Sequence, residues 1–315
     1  MKKQLLIIAA SLSLIPVGNL FAVQNQTFIK STETLIAKNI SNSNYNESLM
    51  EKGDKKYKSK DYKGAITDYS KILINNPNDF HALFQRALAK SYLNDHVGAI
   101  KDYTKAIEID PEYASAFYNR GLSKDKIDDA YGAISDFNKA IAIDGKYQKA
   151  YIYRGYAKSD IGDHEGAIKD LTSAIEIKPE DAYGYSARGY VKERAGDYYA
   201  AISDYSKAIK IDPDDYYSFA GRGYAKGQIG DNKGAIIDFT KAIELNPDDS
   251  YSFFGRGVIN KISGNYDLAC DDWIKSSDLG YEHADKKANE CKNTANVKKN
   301  IQELLSSQNL SLIHI

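Results

Sequence analysis

Between Asn46 and Gly280, apolar and polar positions keep a helical rhythm that is interrupted at regular places. In the stretch from Gln148 to Asp181, apolar residues recur at spacings of three and four. They do so first across 149–161 and again across 165–177, the pattern that gathers side chains on one face of a helix. Gly162-Asp163 separates the two runs, and Pro179 closes the second. Glycine supplies a turn conformation that other residues resist. Proline cannot continue a helix interior and turns its predecessor out of the helical region. The same break recurs at Gly196-Asp197, Gly230-Asp231 and Gly264-Asn265, and prolines close units at Pro77, Pro111, Pro213 and Pro247. Each unit is expected to be two helices joined by a tight turn.

The units are copies of one another. Ala65, Ala99, Ala133, Ala167, Ala201, Ala235 and Ala269 stand 34 residues apart on the second helix. Gly53, Ala87, Gly121, Gly155, Gly189, Gly223 and Gly257 do the same on the first. Two small residues facing each other let the helix axes approach closely. Four residues after each alanine comes a large ring (Tyr69, Tyr103, Phe137, Tyr205, Phe239, Trp273), with Leu171 the exception. A unit of this size cannot bury its apolar face alone, so neighbours must cover it and the chain must stack.

The motif Tyr-x-x-Arg-Gly-Tyr-Ala-Lys, then Gly-Asp, then Gly-Ala-Ile-x-Asp-Tyr/Phe-x-x-Ala-Ile-x-Ile-x-Pro, resembles the tetratricopeptide repeat. The resemblance covers residues 46–280, seven repeats in register. It implies an all-α fold: an α-solenoid of seven helix hairpins in a right-handed superhelix with a concave groove. It implies partner binding and no catalysis. It also implies that two tyrosine series, Tyr156, Tyr190, Tyr224 and Tyr183, Tyr217, Tyr251, face that groove. Like rings on neighbouring repeats are expected on the order of 10 Å apart, one for every third residue or so of an extended peptide. Tyrosine pairs a rigid apolar body with a hydroxyl and suits interfaces. The expected function is a scaffold that holds an extended or helical segment of a partner protein in this tyrosine-rich groove. A receptor for glycan or another non-protein ligand, and an accessory subunit of an enzyme complex, are the alternatives.

Charge adds a second series. Arg86, Arg120, Arg154, Arg188, Arg222 and Arg256 keep the repeat period, with Lys52 in the first repeat, and Asp68, Asp102, Asp136, Asp170, Asp204, Asp238 and Asp272 keep it on the second helix. One acid for every base in strict register predicts that each Arg pairs with an Asp of its own or the neighbouring repeat at a packed helix interface, and not a ligand clamp. Family members that capture C-terminal carboxylates use Lys and Asn on the groove face of the first helix. Here those places hold Met50, Phe84, Tyr118, Ile152, Ser186, Ala220 and Phe254, so no such clamp is expected.

Over the whole chain, 42 Lys and Arg against 43 Asp and Glu leave no basic stripe, which argues against nucleic acid as a partner. No hydrolase, metalloprotease or phosphate-loop motif occurs. His81, His96, His164, His283 and His314 lack metal-ligand spacing, so neither an enzyme nor a cofactor is expected.

The ends differ from the array. Lys2, Lys3 and the apolar run Leu5–Ile15 make residues 1–22 an expected export signal, placing the protein in the periplasm or outside the cell, or on the membrane if the signal is retained. Residues 23–45, rich in Asn, Ser and Thr, are expected to be a flexible linker, with partial helix around Glu33–Lys38. Residues 281–309 are expected to form a capping helix and tail, with Ala284, Ala288 and Cys291 on one face. Residues 310–315, LSLIHI, match the in-frame product of a sequencing adapter and are set aside from fold reasoning. Cys270 and Cys291 either bond across the array–cap junction or stay as two buried thiols.

Overall fold

The computed structural model describes residues 19–307, and every regular element among them is an α-helix. Positions 1–18 of the expected signal and the segment 310–315 lie outside the described residues. None of the described helices is long and apolar enough to cross a membrane. By Cα proximity the chain divides into two bodies, residues 1–111 and 112–315.

The first body holds α1 (Asn19–Lys58), α2 (Tyr62–Asn75), α3 (Phe80–Tyr92) and α4 (His96–Ile109). The 40-residue α1 runs through the segment expected to be a flexible linker and on into the first repeat. Its sequence explains the continuity: no proline occurs between Pro16 and Pro77, and the first glycine within it is Gly53. Repeat one is therefore the C-terminal part of α1 with α2, and repeat two is α3 with α4. Ala65, Tyr69, Ile72 and Leu83 form a fully buried core between them.

The second body holds repeats three to seven. These are α5 (Ala114–Asp125) with α6 (Ala130–Ile143), α7 (Gln148–Asp160) with α8 (His164–Ile177), and α9 (Ala182–Arg194) with α10 (Tyr198–Ile211). They continue as α11 (Tyr216–Gln228) with α12 (Asn232–Leu245), and α13 (Ser250–Ile262) with α14 (Tyr266–Asp278). The closing helix α15 (Glu282–Ser307) follows.

Local chemistry sets these boundaries. Asp61, Asp95, Asp129, Asp163, Asp197 and Asp231 precede the second helices, and each accepts a hydrogen bond from the backbone N–H three residues on. Such caps satisfy donors that a helix start leaves unpaired. The turn before each cap needs a positive φ. Gly162, Gly196, Gly230 and Gly264 supply it in repeats four to seven, at 81° to 86°. Lys60, Asn94 and Asp128 adopt it at 61° to 64° in repeats one to three, where sequence alone offers no glycine marker.

Inside each hairpin, small residues meet rings as the 34-residue period predicts. A Cβ added at Gly121 would come within 2.7 Å of the Phe137 ring. At Gly155, opposite the exceptional Leu171, the same Cβ would meet Leu171 Cγ at 3.0 Å.

The paired charges form a ladder. In repeats two to seven, Nε and Nη2 of Arg86, Arg120, Arg154, Arg188, Arg222 and Arg256 donate to the two carboxylate oxygens of Asp102, Asp136, Asp170, Asp204, Asp238 and Asp272 at 2.5 to 3.0 Å. Lys90, Lys124, Lys158, Lys192 and Lys226 add a second cation to the same acids at 2.7 to 2.8 Å. In repeat seven Asn260 takes the lysine's place, donating to Asp272 at 3.2 Å. Nη1 of Arg86, Arg188, Arg222 and Arg256 reaches Ser70, Thr172, Ser206 and Thr240 of the preceding repeat, and that of Arg154 reaches Asn138. Each of these five arginines so ties its own hairpin to its predecessor, and bidentate geometry sets the register. Repeat one departs from the expected pairing. Asp68 is held by Lys56 at 2.6 Å and Lys71 at 3.4 Å, not by Lys52 at the arginine's place.

At the far end α15 covers α14. Ala284, Ala288 and Cys291 are buried on one face of α15, as their spacing predicts. Cys270 and Cys291 form a disulfide with Cα atoms 5.5 Å apart. Lys287 Nζ stands 4.9 Å from the Trp273 ring centroid, a cation–π contact beside the bridge.

Candidate partner-binding groove

Repeats four to seven enclose an open cavity of about 950 Å³. Its origin is a gap in the repeat pattern. The place held by Phe84, Tyr118, Ile152 and Phe254 in repeats two, three, four and seven holds Ser186 and Ala220 in repeats five and six. Where bulk is present it fills the interior: Tyr118 packs at 5.1 Å on Tyr147 and 5.8 Å on Tyr153. Where it is missing, Ser186, Ala220 and the adjacent Gly221 line open space. A Cβ at Gly221 would lie 2.6 Å from the Tyr205 hydroxyl, so that glycine is required by close approach.

Tyrosines make the walls. Tyr156, Tyr183, Tyr190, Tyr217 and Tyr251 all line the cavity, and Tyr205, one of the core rings, reaches it as well. Tyr183, Tyr190 and Tyr217 keep 46%, 42% and 67% of their surface exposed, which is high for such large rings. Tyr156 meets Tyr190 edge-on at 6.0 Å and Tyr183 at 6.5 Å. The rings lean together, closer than the 10 Å helix-to-helix estimate, and form a cluster instead of an evenly spaced row. Tyr224 is placed elsewhere: it packs on Ala235, Phe239 and Ile259 and meets Tyr198 edge-on at 6.5 Å.

The cavity is acidic, a property that sequence reasoning on the tyrosines missed. Glu180, Asp181, Glu193, Asp212, Asp215 and Asp249 line it, and no Lys, Arg or His does so among the described residues. Several are engaged in local structure. Asp181 and Asp215 accept backbone N–H bonds at 3.1 Å, and Asp249 accepts one at 3.2 Å, capping α9, α11 and α13. Asp212 accepts the N–H of Asp214 at 3.1 Å. Glu193 differs, since among the described residues its only side-chain hydrogen-bond partner is the Tyr205 hydroxyl, which donates to it at 2.9 Å. Burial pushes its carboxyl up to about 7, with the phenol's hydrogen bond opposing the shift. Burial likewise raises the phenols of Tyr156, Tyr205 and Tyr251, so these rings stay neutral donors at ordinary pH. The signal for Glu193 was present in the chain, because Tyr183, Ser186, Tyr190 and Glu193 follow the three-and-four spacing along one face of α9.

Among the described residues no group of His, Cys, Asp or Glu is placed to hold a metal ion. His164 Nδ1 lies 3.2 Å from Ser159 Oγ at a hairpin turn, a local contact.

Comparison with known proteins agrees with this architecture. A TPR repeat model matches residues 92–125, and a tetratricopeptide repeat model matches 148–181, 182–215 and 216–249. The three segments between 148 and 249 coincide with the hairpins of repeats four to six, whereas 92–125 takes in α4 and α5. The chain is a tetratricopeptide repeat (TPR) protein. Solved TPR structures resemble it. A tetratricopeptide repeat protein from Parabacteroides merdae is 18% identical, with 79% of this chain and 97% of that one covered and a TM-score of 0.66. The C-terminal part of a TPR repeat-containing protein from Cytophaga hutchinsonii is 20% identical, with 76% and 97% covered and a TM-score of 0.57. MamA is 29% identical, with 54% of this chain and 93% of MamA covered and a TM-score of 0.51. No curated protein matches the sequence. The first two likenesses concern the fold alone. In this TPR chain, the departures from repeat regularity at Ser186, Ala220 and Glu193 mark the candidate site.

Proposed function

We propose that this TPR protein is an interaction scaffold that seats an extended or helical segment of a partner protein in the groove of repeats four to seven. The observation that carries this reading is the cavity opened by Ser186, Ala220 and Gly221 and walled by tyrosines with exposed faces. Concave, aromatic-lined sites with a few convergent polar groups are where ligands bind, and tyrosine gives contact area at low entropic cost. An exported location, argued from Lys2, Lys3 and the apolar run Leu5–Ile15, belongs to the same proposal. Cell fractionation of the full chain tests it, and recovery in the cytoplasm alone would end it.

The groove is tested by plugging it. Ala220→Phe restores the bulk found at Phe254 and Phe84 and should fill the cavity without removing any contact. A photo-crosslinker placed at Tyr217, with the captured species identified by mass spectrometry, reads the occupant. Peptide adducts that vanish with Ala220→Phe support the reading. Adducts that persist in a folded Ala220→Phe protein contradict it, and glycan adducts would favour a non-protein ligand.

A further inference from the structure

The groove reading above leaves the chemistry of the partner segment open, and the inference below rests on that reading. We infer that Glu193 is the anchor for a Lys or Arg side chain of the segment held in the tyrosine groove.

The repeat pattern first shows that Glu193 is not needed for stacking. The same place holds Ser159 in repeat four and Gly227 in repeat six. Its flanking cations are committed elsewhere, Lys192 to Asp204 at 2.7 Å and Arg194 to Asp160. Glu193 itself makes no ion pair among the described residues, and its one side-chain bond is to the Tyr205 hydroxyl. A carboxylate withdrawn from water without a cation is destabilising, so its retention in a cavity wall calls for a ligand that neutralises it.

The surroundings select the sign and the shape of that ligand. Every ionisable group lining the cavity among the described residues is an acid or a phenol. An acidic segment would meet uniform repulsion, while a cation gains from the whole lining. Tyr156, Tyr190 and Tyr251 present rings around the same space, and aromatic faces attract ammonium and guanidinium groups. From the packed elements, Tyr205, Tyr224 and Tyr251 are the titratable groups that face Glu193 electrostatically, and burial raises all three phenols. Glu193 is therefore the group in this set whose charge changes near neutral pH.

A phage-displayed library of random peptides of about twelve residues, selected on the immobilised full chain, supplies the probe. Enriched peptides are then titrated by fluorescence anisotropy against wild type, Glu193→Gln and Ala220→Phe, each first shown to be folded by circular dichroism. Enriched peptides should carry a Lys or Arg whose replacement by Gln costs roughly tenfold or more in affinity, and Glu193→Gln should cost about the same without adding to it. Wild-type affinity should rise between about pH 5.5 and about pH 8, whereas that of Glu193→Gln should not. Peptides that lack Lys and Arg, or that bind Glu193→Gln as tightly as wild type, yet are lost with Ala220→Phe, would overturn the cation anchor and leave the groove reading standing. Peptides indifferent to both variants, or no enrichment at all, would overturn both.

Discussion

Asp204 and Glu193 sit in the same repeat, and both are acids withdrawn from solvent. Asp204 receives Arg188 on both oxygens and Lys192 on one of them. Glu193 receives a single phenol. The first acid recurs in all seven repeats, while the place of Glu193 carries an acid in only two, Asp125 being the other. A feature that repeats with the period is what stacking requires, because each repeat must solve the same packing problem. A feature that breaks the period has no such warrant, and it marks the stretch where this chain departs from its own repeat. The ladder and the groove thus separate structural from functional chemistry within one set of helices.

The largest expected effect tests the ladder. Asp204→Ala leaves Arg188 and Lys192 facing each other without an acid at a packed interface. Loss of one partner from a buried ion network should cost about 3–5 kcal/mol, read by urea or guanidinium unfolding. A cost below about 1 kcal/mol would place the ladder among surface pairs of little weight.

Glu193→Gln should move stability the other way. The folded carboxyl is raised from 4.5 to about 7. Across that window the folded chain binds a proton that the unfolded chain releases, so wild-type stability falls as pH rises through it. Glutamine does not titrate. The variant should match wild type below the window and gain up to about 3 kcal/mol above it, since one pKa unit is worth about 1.36 kcal/mol. A variant less stable than wild type at about pH 8 would assign Glu193 a structural role instead.

Ala220→Phe sharpens the contrast from the groove side. Filling existing space should shift stability by no more than about 1–2 kcal/mol in either direction. It should still abolish segment capture, so binding and stability part company at this position as they do not at Asp204. The smallest effect belongs to Tyr205→Phe. It removes one hydroxyl donor at a cost of about 1 kcal/mol. It should also push the Glu193 carboxyl still higher, displacing the pH dependence of stability upward. An unmoved pH profile would show that the 2.9 Å contact carries no weight.

The period, the helix pairs and the paired charges were legible because they are local or strictly recurrent. An aspartate before a glycine-containing first turn caps a helix whatever surrounds it, and Arg and Asp sixteen residues apart meet whenever the hairpin closes. The first three turns were harder to read. Lys60, Asn94 and Asp128 carry the positive φ that glycine announces in later repeats. The linker expectation failed on the same ground of composition. Polar Asn- and Ser-rich chain between 23 and 45 reads as flexible, yet it lacks any glycine or proline to interrupt α1. Within the site, the tyrosine series was visible but its membership was not. Tyr224 has the same repeat position as Tyr156 and Tyr190 and still packs away from them, on Tyr198.

By itself, then, the amino-acid order determined the unit, its length and the pairing of one acid with each base, since these recur with the period; which hairpin supplies each acid was decided by the fold. What only tertiary structure decided was where space remains once hairpins stack. An empty place is a property of several repeats at once: Ser186 on α9 and Ala220 on α11 create room that Tyr205 of α10 and Tyr251 of α13 also border. The small residues and the acid can each be read along a helix, but only packing shows that the volume stays open and that the acids gather around it.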